Sequence, residues 1–236
     1  MKTSKIIFFV LVGTIAGIIL AAMIDLRING RRDSDISSDF KVNKHSLKFF
    51  RTLTITNSMN VTLVKNDSSY IEVTSLKDSI QPKVNFSTSG DTLRISDFEK
   101  AVRHNVSIRI HTGDSLRNIL LENADFTIEH FNFGILSIDL DQSSVWFNQD
   151  EMDKSHINML HISAKNHSMV NTDRYDIDSI EFTLLHSEAF LEFTSKKLVG
   201  SLSDSSRIEA RRLQARQPGE IWLKKDASSN VNINDY

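Results

Sequence analysis

Ile138-Asp139-Leu140-Asp141-Gln142-Ser143-Ser144-Val145-Trp146-Phe147 holds two apolar pairs at alternating positions, split by a short polar break. In an extended chain, alternation sends Ile138, Leu140, Val145 and Phe147 to one side and Asp139, Asp141 and Trp146 to the other. The phrase returns downstream. His161-Ile162, Asn166-His167-Ser168 and Val170 form one copy, and Phe182, Leu184, His186-Ser187, Ala189 and Leu191 the next. Leu202, Asp204-Ser205-Ser206, Ile208 and Ala210 follow, then Ile221, Leu223, Ala227-Ser228-Ser229, Val231 and Ile233. With Ser144, Ser168, Ser187, Ser206 and Ser229 as markers, the copies lie 24, 19, 19 and 23 residues apart. A unit of about twenty residues cannot bury its own apolar side, so it must stack on its neighbours. The expected fold is therefore all-β, a single-stranded β-solenoid (β-helix) of about 20-residue coils.

Upstream, the same alternation continues without a clear repeat. Phe49 to Ile55 and Val61 to Val64 read as strands, with Asn57-Ser58-Met59-Asn60 as the turn between them. Tyr70 to Val73, Lys83 to Phe86, Leu93 to Ile95 and Val106 to Ile110 read likewise, and residues 116–128 form the first clear repeat. After residue 25 only Asp97 to Arg103 offers a helical candidate. Six stacked copies at about 4.8 Å per coil would make a rod about 30 Å long. The Ser and Asn positions would fall at corners, one above another, and pass hydrogens along the stack. The last coil would leave an open strand edge, a surface for self-association.

The amino terminus carries a different signal. Ile6 to Ile24 is an uninterrupted run free of charged side chains, preceded by Lys2 and Lys5. At 1.5 Å per residue this is roughly 28 Å, the hydrocarbon thickness of a bilayer. One transmembrane helix is the first reading and a cleaved signal peptide the second; Leu20-Ala-Ala-Met23 is a poor cleavage match. Lys2 and Lys5 nearly balance Arg27, Arg31 and Arg32 across the run. The expected orientation keeps the amino terminus cytoplasmic and exports the rest, giving a single-pass protein of the cell membrane with a periplasmic carboxy-terminal domain. The expected domains are 1–25 anchor or signal, 26–45 polar stalk, and 46–236 the repeat domain.

Composition narrows the chemistry. The chain has 236 residues, 28 Lys+Arg against 30 Asp+Glu, and a net charge of -2. Nothing in this balance calls for nucleic acid, which needs a concentrated basic face. With no Cys, disulfides, thiolate metal sites and cysteine nucleophiles are excluded. No catalytic, cofactor-binding or metal residue is assigned, and no cofactor is expected. His156, His161, His167 and His186 fall in adjacent coils; His167 and His186, if stacked, could ligate a metal through imidazole, against ordinary surface histidines. Asp139, Asp141, Asp150 and Asp153 could ligate calcium or simply face solvent. Arg207, Arg211, Arg212 and Arg216 beside Glu209 could meet an anion, or form a solvated strand. Trp146 and Trp222 could stack on sugars.

The order of elements resembles a known family. Phe50-Arg-Thr-Leu-Thr-Ile-Thr-Asn-Ser-Met-Asn-Val-Thr-Leu-Val64, Gly90-Asp-Thr-Leu-Arg-Ile95, Val106-Ser-Ile-Arg-Ile110 and Leu116 to Ala124, with the repeats, are similar to the "putative auto-transporter adhesin head" GIN domain family, exported proteins common in Bacteroidetes. The resemblance covers about residues 46–233. It implies export, a β-solenoid and an adhesive role, and it transfers no catalytic residues. The expected function is a non-enzymatic, membrane-anchored envelope module that binds or scaffolds through its outer faces. The alternative is a polysaccharide-active β-helix enzyme, a lyase or hydrolase. Expected partners are the membrane through residues 6–24, a cell-surface glycan or another envelope protein, and a second copy at an open end.

Overall fold

The computed structural model describes residues 40–58, 61–76, 84–96, 106–148, 155–172, 175–193, 196–212 and 220–235. The expected span 6–24, the helical candidate 97–103, and Asp150, Asp153 and Arg216 lie outside them. Among the described residues there is no helix, and hence none long and apolar enough to cross a membrane. Strands from Lys41 onward belong to one compact unit.

Each repeat delivers one strand to each of two sheets. In the nine-stranded sheet run β8 (Asn118–Glu122), β10 (Phe133–Asp141), β12 (His156–Lys165), β14 (Asp176–Leu185), β16 (Lys197–Ser203) and β18 (Glu220–Lys225). In the ten-stranded sheet run β9 (Asp125–Glu129), β11 (Ser144–Asn148), β13 (Met169–Asn171), β15 (Glu188–Phe193), β17 (Arg207–Arg212) and β19 (Asn230–Asp235). Successive members pair in parallel in both sheets. The single-stranded solenoid of the sequence reading is corrected accordingly. The strands make two mixed sheets, because each repeat breaks its extended chain at a corner and sends its halves to different sheets.

The stack also begins earlier than residue 116. β2 (Thr52–Thr56) pairs in parallel with β8, and β3 (Val61–Lys65) in parallel with β9. β2 and β3 therefore lie in different sheets and do not form a hairpin. On their far side lie β6 (Thr92–Ser96) and β7 (Val106–Thr112), also parallel to them. This end is finished by β4 (Tyr70–Leu76), antiparallel to β7, and β5 (Asn85–Ser89), antiparallel to β6. β1 (Phe40–Ser46) lies beside β4 and begins inside the segment read as stalk.

Alternation fills the space between the sheets with columns of apolar side chains. In the nine-stranded sheet, Leu53, Ile119, Ile138, Ile162, Phe182, Gly200 and Leu223 occupy one column. In the other sheet, Val61, Phe126, Val145, Val170, Ala189, Ile208 and Val231 do the same. All but Gly200, Leu223 and Val231 are buried, and the two sheets share one apolar cluster.

The corners explain why the sequence breaks where it does. Asn57, Asn123, Gln142 and His186 take φ of 54°, 49°, 50° and 51°. Asn and, less readily, His and Gln accept this left-handed region, which turns the chain in one residue. Next comes a small buried residue: Ser58, Ala124, Ser143 and Ser187. Longer corners spend two such residues, Asn166-His167 and Asp204-Ser205, before Ser168 and Ser206. Ser143, not Ser144, is thus the first of the five Ser markers. Ser143 is buried, and Ser144 starts β11.

Neighbouring corners are bonded through these hydroxyls. The backbone N–H of Ala124, Ser143, Ser168, Ser187 and Ser206 donates to the Oγ of Ser143, Ser168, Ser187, Ser206 and Ser229 at 3.1–3.2 Å. Four of those hydroxyls donate in turn to a carbonyl of their own corner, of Asp141, Lys165, Leu185 and Ser203. At the last corner, Asp226 accepts the N–H groups of Ser229 and Asp204, each at 2.8 Å. Its carboxyl is held well below the usual carboxylate range, first by Ser229 and then by the Asp204 amide.

Candidate functional site

The outer face of the nine-stranded sheet is sorted by register into rows that run across the strands. One row reads Thr54, Leu120, Asp139, Ser163, Thr183, Ser201. Most of these are short, while the rows beside it carry His161 and Glu181 on one side and Asp141 and Lys165 on the other. Short side chains between longer ones leave a trough. Its larger part has a volume of about 750 Å³ over β10 to β16, and a second part of about 410 Å³ continues over β2, β8, β10 and β12, sharing Asp139 and Ser163.

Hydroxyls line the trough and charges fringe it. Glu181 faces His161 Nδ1 at 3.3 Å and Lys197 Nζ at 3.7 Å. Asp141 faces Lys165 Nζ at 3.0 Å and accepts from Asn166 Nδ2 at 2.7 Å. Its carboxyl is held low, first by Asn166 and then by Lys165. Asp139 stands exposed at the centre. Such a surface offers an extended, hydroxylated ligand a line of donors and acceptors.

The histidines are explained by the stacking. His156 and His161 each face a carboxylate on their register partner one strand along, Asp176 at 3.1 Å and Glu181 at 3.3 Å. His186 Nδ1 lies 3.4 Å from Asp204 at the next corner. His167 and His186 do stack, edge to face with centroids 4.0 Å apart. Among the described residues, however, no group of three His, Asp or Glu is arranged to hold a metal ion. Asp139 and Asp141 lie two apart on one strand and are not brought together by the fold.

Arg207 and Arg211 are exposed on β17 and flank Glu209 at 3.2 and 3.7 Å. Trp146 lies on the outer face of the ten-stranded sheet and Trp222 on that of the other, so they form no common platform. A groove along one parallel sheet is what the polysaccharide-active alternative calls for, but the residues that line this trough are not picked out from sequence. Its only signal there is a recurrent Ser or Thr on outward positions, which any solvated strand would show.

No family model matches the sequence, and no curated protein matches it. Solved structures do. A "putative adhesin" from Bacteroides fragilis is 12% identical, with 83% of this chain and 97% of that one covered and a TM-score of 0.56. The fold is shared. At this identity the likeness speaks of fold alone. A "putative adhesin" from Parabacteroides merdae (12% identity, 83% and 96% covered, TM-score 0.42) and a "putative lipid binding protein" from Parabacteroides distasonis (13%, 83% and 97%, TM-score 0.45) are more distant in shape.

Proposed function

We propose that this protein is a non-enzymatic binding module of the bacterial cell surface, which holds a hydroxylated polymer in the trough across β2 to β16. The observation that carries this is the row Ser163, Thr183, Ser201 between longer charged rows. It presents hydroxyls at the strand spacing of about 4.8 Å, and an extended chain of sugars could follow it across the stack. The name "putative adhesin" given to the Bacteroides fragilis protein of like fold supports the same reading. So does the GIN-type order of elements over residues 46–233.

Several finer features belong to this reading. The parallel repeats are solenoid coils. Residues 6–24 anchor the chain in the cell membrane, 26–45 lead to the folded domain, and that domain lies outside the cytoplasm. Its partners are a surface glycan or an envelope protein, and its last strands are free to meet a second copy. Enzymatic cleavage of the polymer is disfavoured. Glu181 faces Lys197 and the His161 ring, and the carboxyl of Asp141 is held low, where a general acid needs its proton.

The test is retention on a glycan array by the full chain in detergent micelles, beside Ser163→Arg and Thr183→Arg, which fill the trough from outward positions. Retention of a polysaccharide by the wild type and its loss in both variants is expected. Failure to hold any glycan, or binding indifferent to both substitutions, would overturn the proposal.

A further inference from the structure

The stack ends on β18 and β19. Each pairs on one side only, with β16 and β17, and among the described residues no strand pairs with the other side. Register places Ile221 beside Leu198 and Leu223 beside Gly200, and Val231 and Ile233 beside Ile208 and Ala210. These four therefore continue the interior columns, yet they have a neighbour on one side only. Ile221 is 42% exposed, and Trp222, on the outer face, is 68% exposed. An open edge with apolar side chains is a template for pairing.

The residues on that edge are complementary to themselves. In an antiparallel pair, opposed residues point to the same face. A two-fold axis through Trp222 would set Trp222 against its own copy, Ile221 against Leu223, and Glu220 against Lys224. Ile221 and Leu223 both belong to the interior columns, and Glu220, Trp222 and Lys224 all alternate outward. Each apolar residue thus meets an apolar one, and two Glu–Lys pairs form by symmetry. On β19 an axis through Asn232 would set Val231 against Ile233, again inward on inward. An axis normal to the sheets serves both strands. At the opposite end of the molecule the edges are β5 and β1. β5 reads Asn-Phe-Ser-Thr-Ser and is exposed along most of its length, and an antiparallel pair of β1 about Val42 would set Lys41 against Asn43 and Phe40 against Lys44, so neither offers such a match.

We infer that the β18–β19 edge pairs antiparallel with the same edge of a second copy, forming an isologous end-to-end dimer centred on Trp222. This deepens the self-association reading, and it stands on the last strands alone, so a failed glycan test leaves it intact. The contact involves two six-residue strands of about 20 Å each, at the low end of specific interfaces. The dimer is therefore concentration-dependent. It joins the two nine-stranded sheets edge to edge. The row of Ser201 runs on to Lys224, which opposes Glu220, so the two troughs run in opposite directions and are offset by four residues.

The experiment uses the full chain in detergent micelles, with mass followed by sedimentation velocity over a wide concentration range. A monomer–dimer equilibrium is expected. Glu220→Lys puts like charges in opposition and should weaken the dimer by about tenfold or more in Kd. Adding Lys224→Glu to it restores the pairs and should restore the dimer, which micelle-driven association would not do. Because the chain has no Cys, Trp222→Cys gives a single thiol on the proposed axis, where opposed Cα atoms lie within disulfide reach. Oxidation should link it into covalent dimers, while Thr183→Cys, in mid-sheet, should stay unlinked. A wild-type monomer at all concentrations, open-ended oligomers, no rescue by the charge swap, or unlinked Trp222→Cys would each overturn the inference.

Discussion

The Oγ of Ser187 accepts a hydrogen bond from the backbone N–H of Ser168 at 3.2 Å, and its own proton goes to the carbonyl of Leu185 at 3.0 Å. Both serines are buried. Removing the hydroxyl leaves the buried Ser168 N–H without an acceptor, while the Leu185 carbonyl keeps the N–H of Asn166. Orphaning one buried donor costs about 1–3 kcal/mol. Ser58 fills the equivalent place in an earlier corner, but among the described residues its buried Oγ has no partner. The two sites should thus respond oppositely to the same substitution. Chemical denaturation should show Ser187→Ala destabilised by that amount and Ser58→Ala unchanged or more stable.

That contrast marks how far the sequence could be read. Alternation gave the inward residues around the corners, such as Ile138, Leu140, Val145 and Phe147. It did not give the first halves of β10, β12 and β14, where inward Phe133, Ile157 and Ile177 are followed three residues on by Leu136, Leu160 and Ile180. The turn-forming residues before each Ser marked the corners. The choice of Ser143 over Ser144 was legible as well, since Ser168, Ser187, Ser206 and Ser229 each stand two residues before an inward apolar residue, as Ser143 stands before Val145. The placement of β6 and β7 beyond β2 and β3 was hidden. Leu93, Ile95, Ile108 and Ile110 alternate as the later repeats do, and alternation is blind to strand order and to parallel or antiparallel pairing. The lining of the trough was illegible because it depends on rows aligned across strands, and corner bonds spanning 19 to 25 residues do not reveal that alignment.

His111 predicts a response to acid. Its ring stacks on Tyr70, centroids 4.1 Å apart and nearly parallel, and among the described residues neither ring nitrogen has a partner. Burial lowers its pKa from 6.5; Glu72 opposes this, and Arg109 and Lys44 add to it. The folded state therefore resists protonation while the unfolded chain accepts it near 6.5. Stability from this residue is complete above that pH and declines as pH falls below it. Denaturant midpoints measured from neutral pH downward should fall less steeply for His111→Phe than for the wild type. Equal slopes would remove His111 as the cause.

Tyr175 predicts the alkaline counterpart. Its buried hydroxyl accepts the N–H of Phe131 at 3.2 Å, and its ring meets Phe147 edge-on at 5.1 Å. Desolvation raises its pKa above 10.0. Here the folded state retains a proton that the unfolded chain releases, so stability holds below pH 10 and declines above it. Absorbance titration of the phenolates should show one tyrosine ionising only with unfolding. Tyr175→Phe should abolish that late step and, by orphaning the Phe131 amide, cost about 1–3 kcal/mol at neutral pH.

Gly200 and Phe182 share one interior column, paired directly between β14 and β16. A Cβ on Gly200 would stand 2.6 Å from three carbons of the Phe182 ring. Glycine normally weakens a strand, so alanine would ordinarily help here. The clash decides otherwise, because Phe182 is buried between Ile162 and Gly200 and cannot swing out. Overpacking of this kind costs about 1–3 kcal/mol. Gly200→Ala should lower the melting temperature accordingly. Trimming the ring in Gly200→Ala/Phe182→Leu should recover most of the loss, although Phe182→Leu alone opens a void and destabilises. A double variant no better than the sum of its singles would show that ring and glycine do not fit one another in this way.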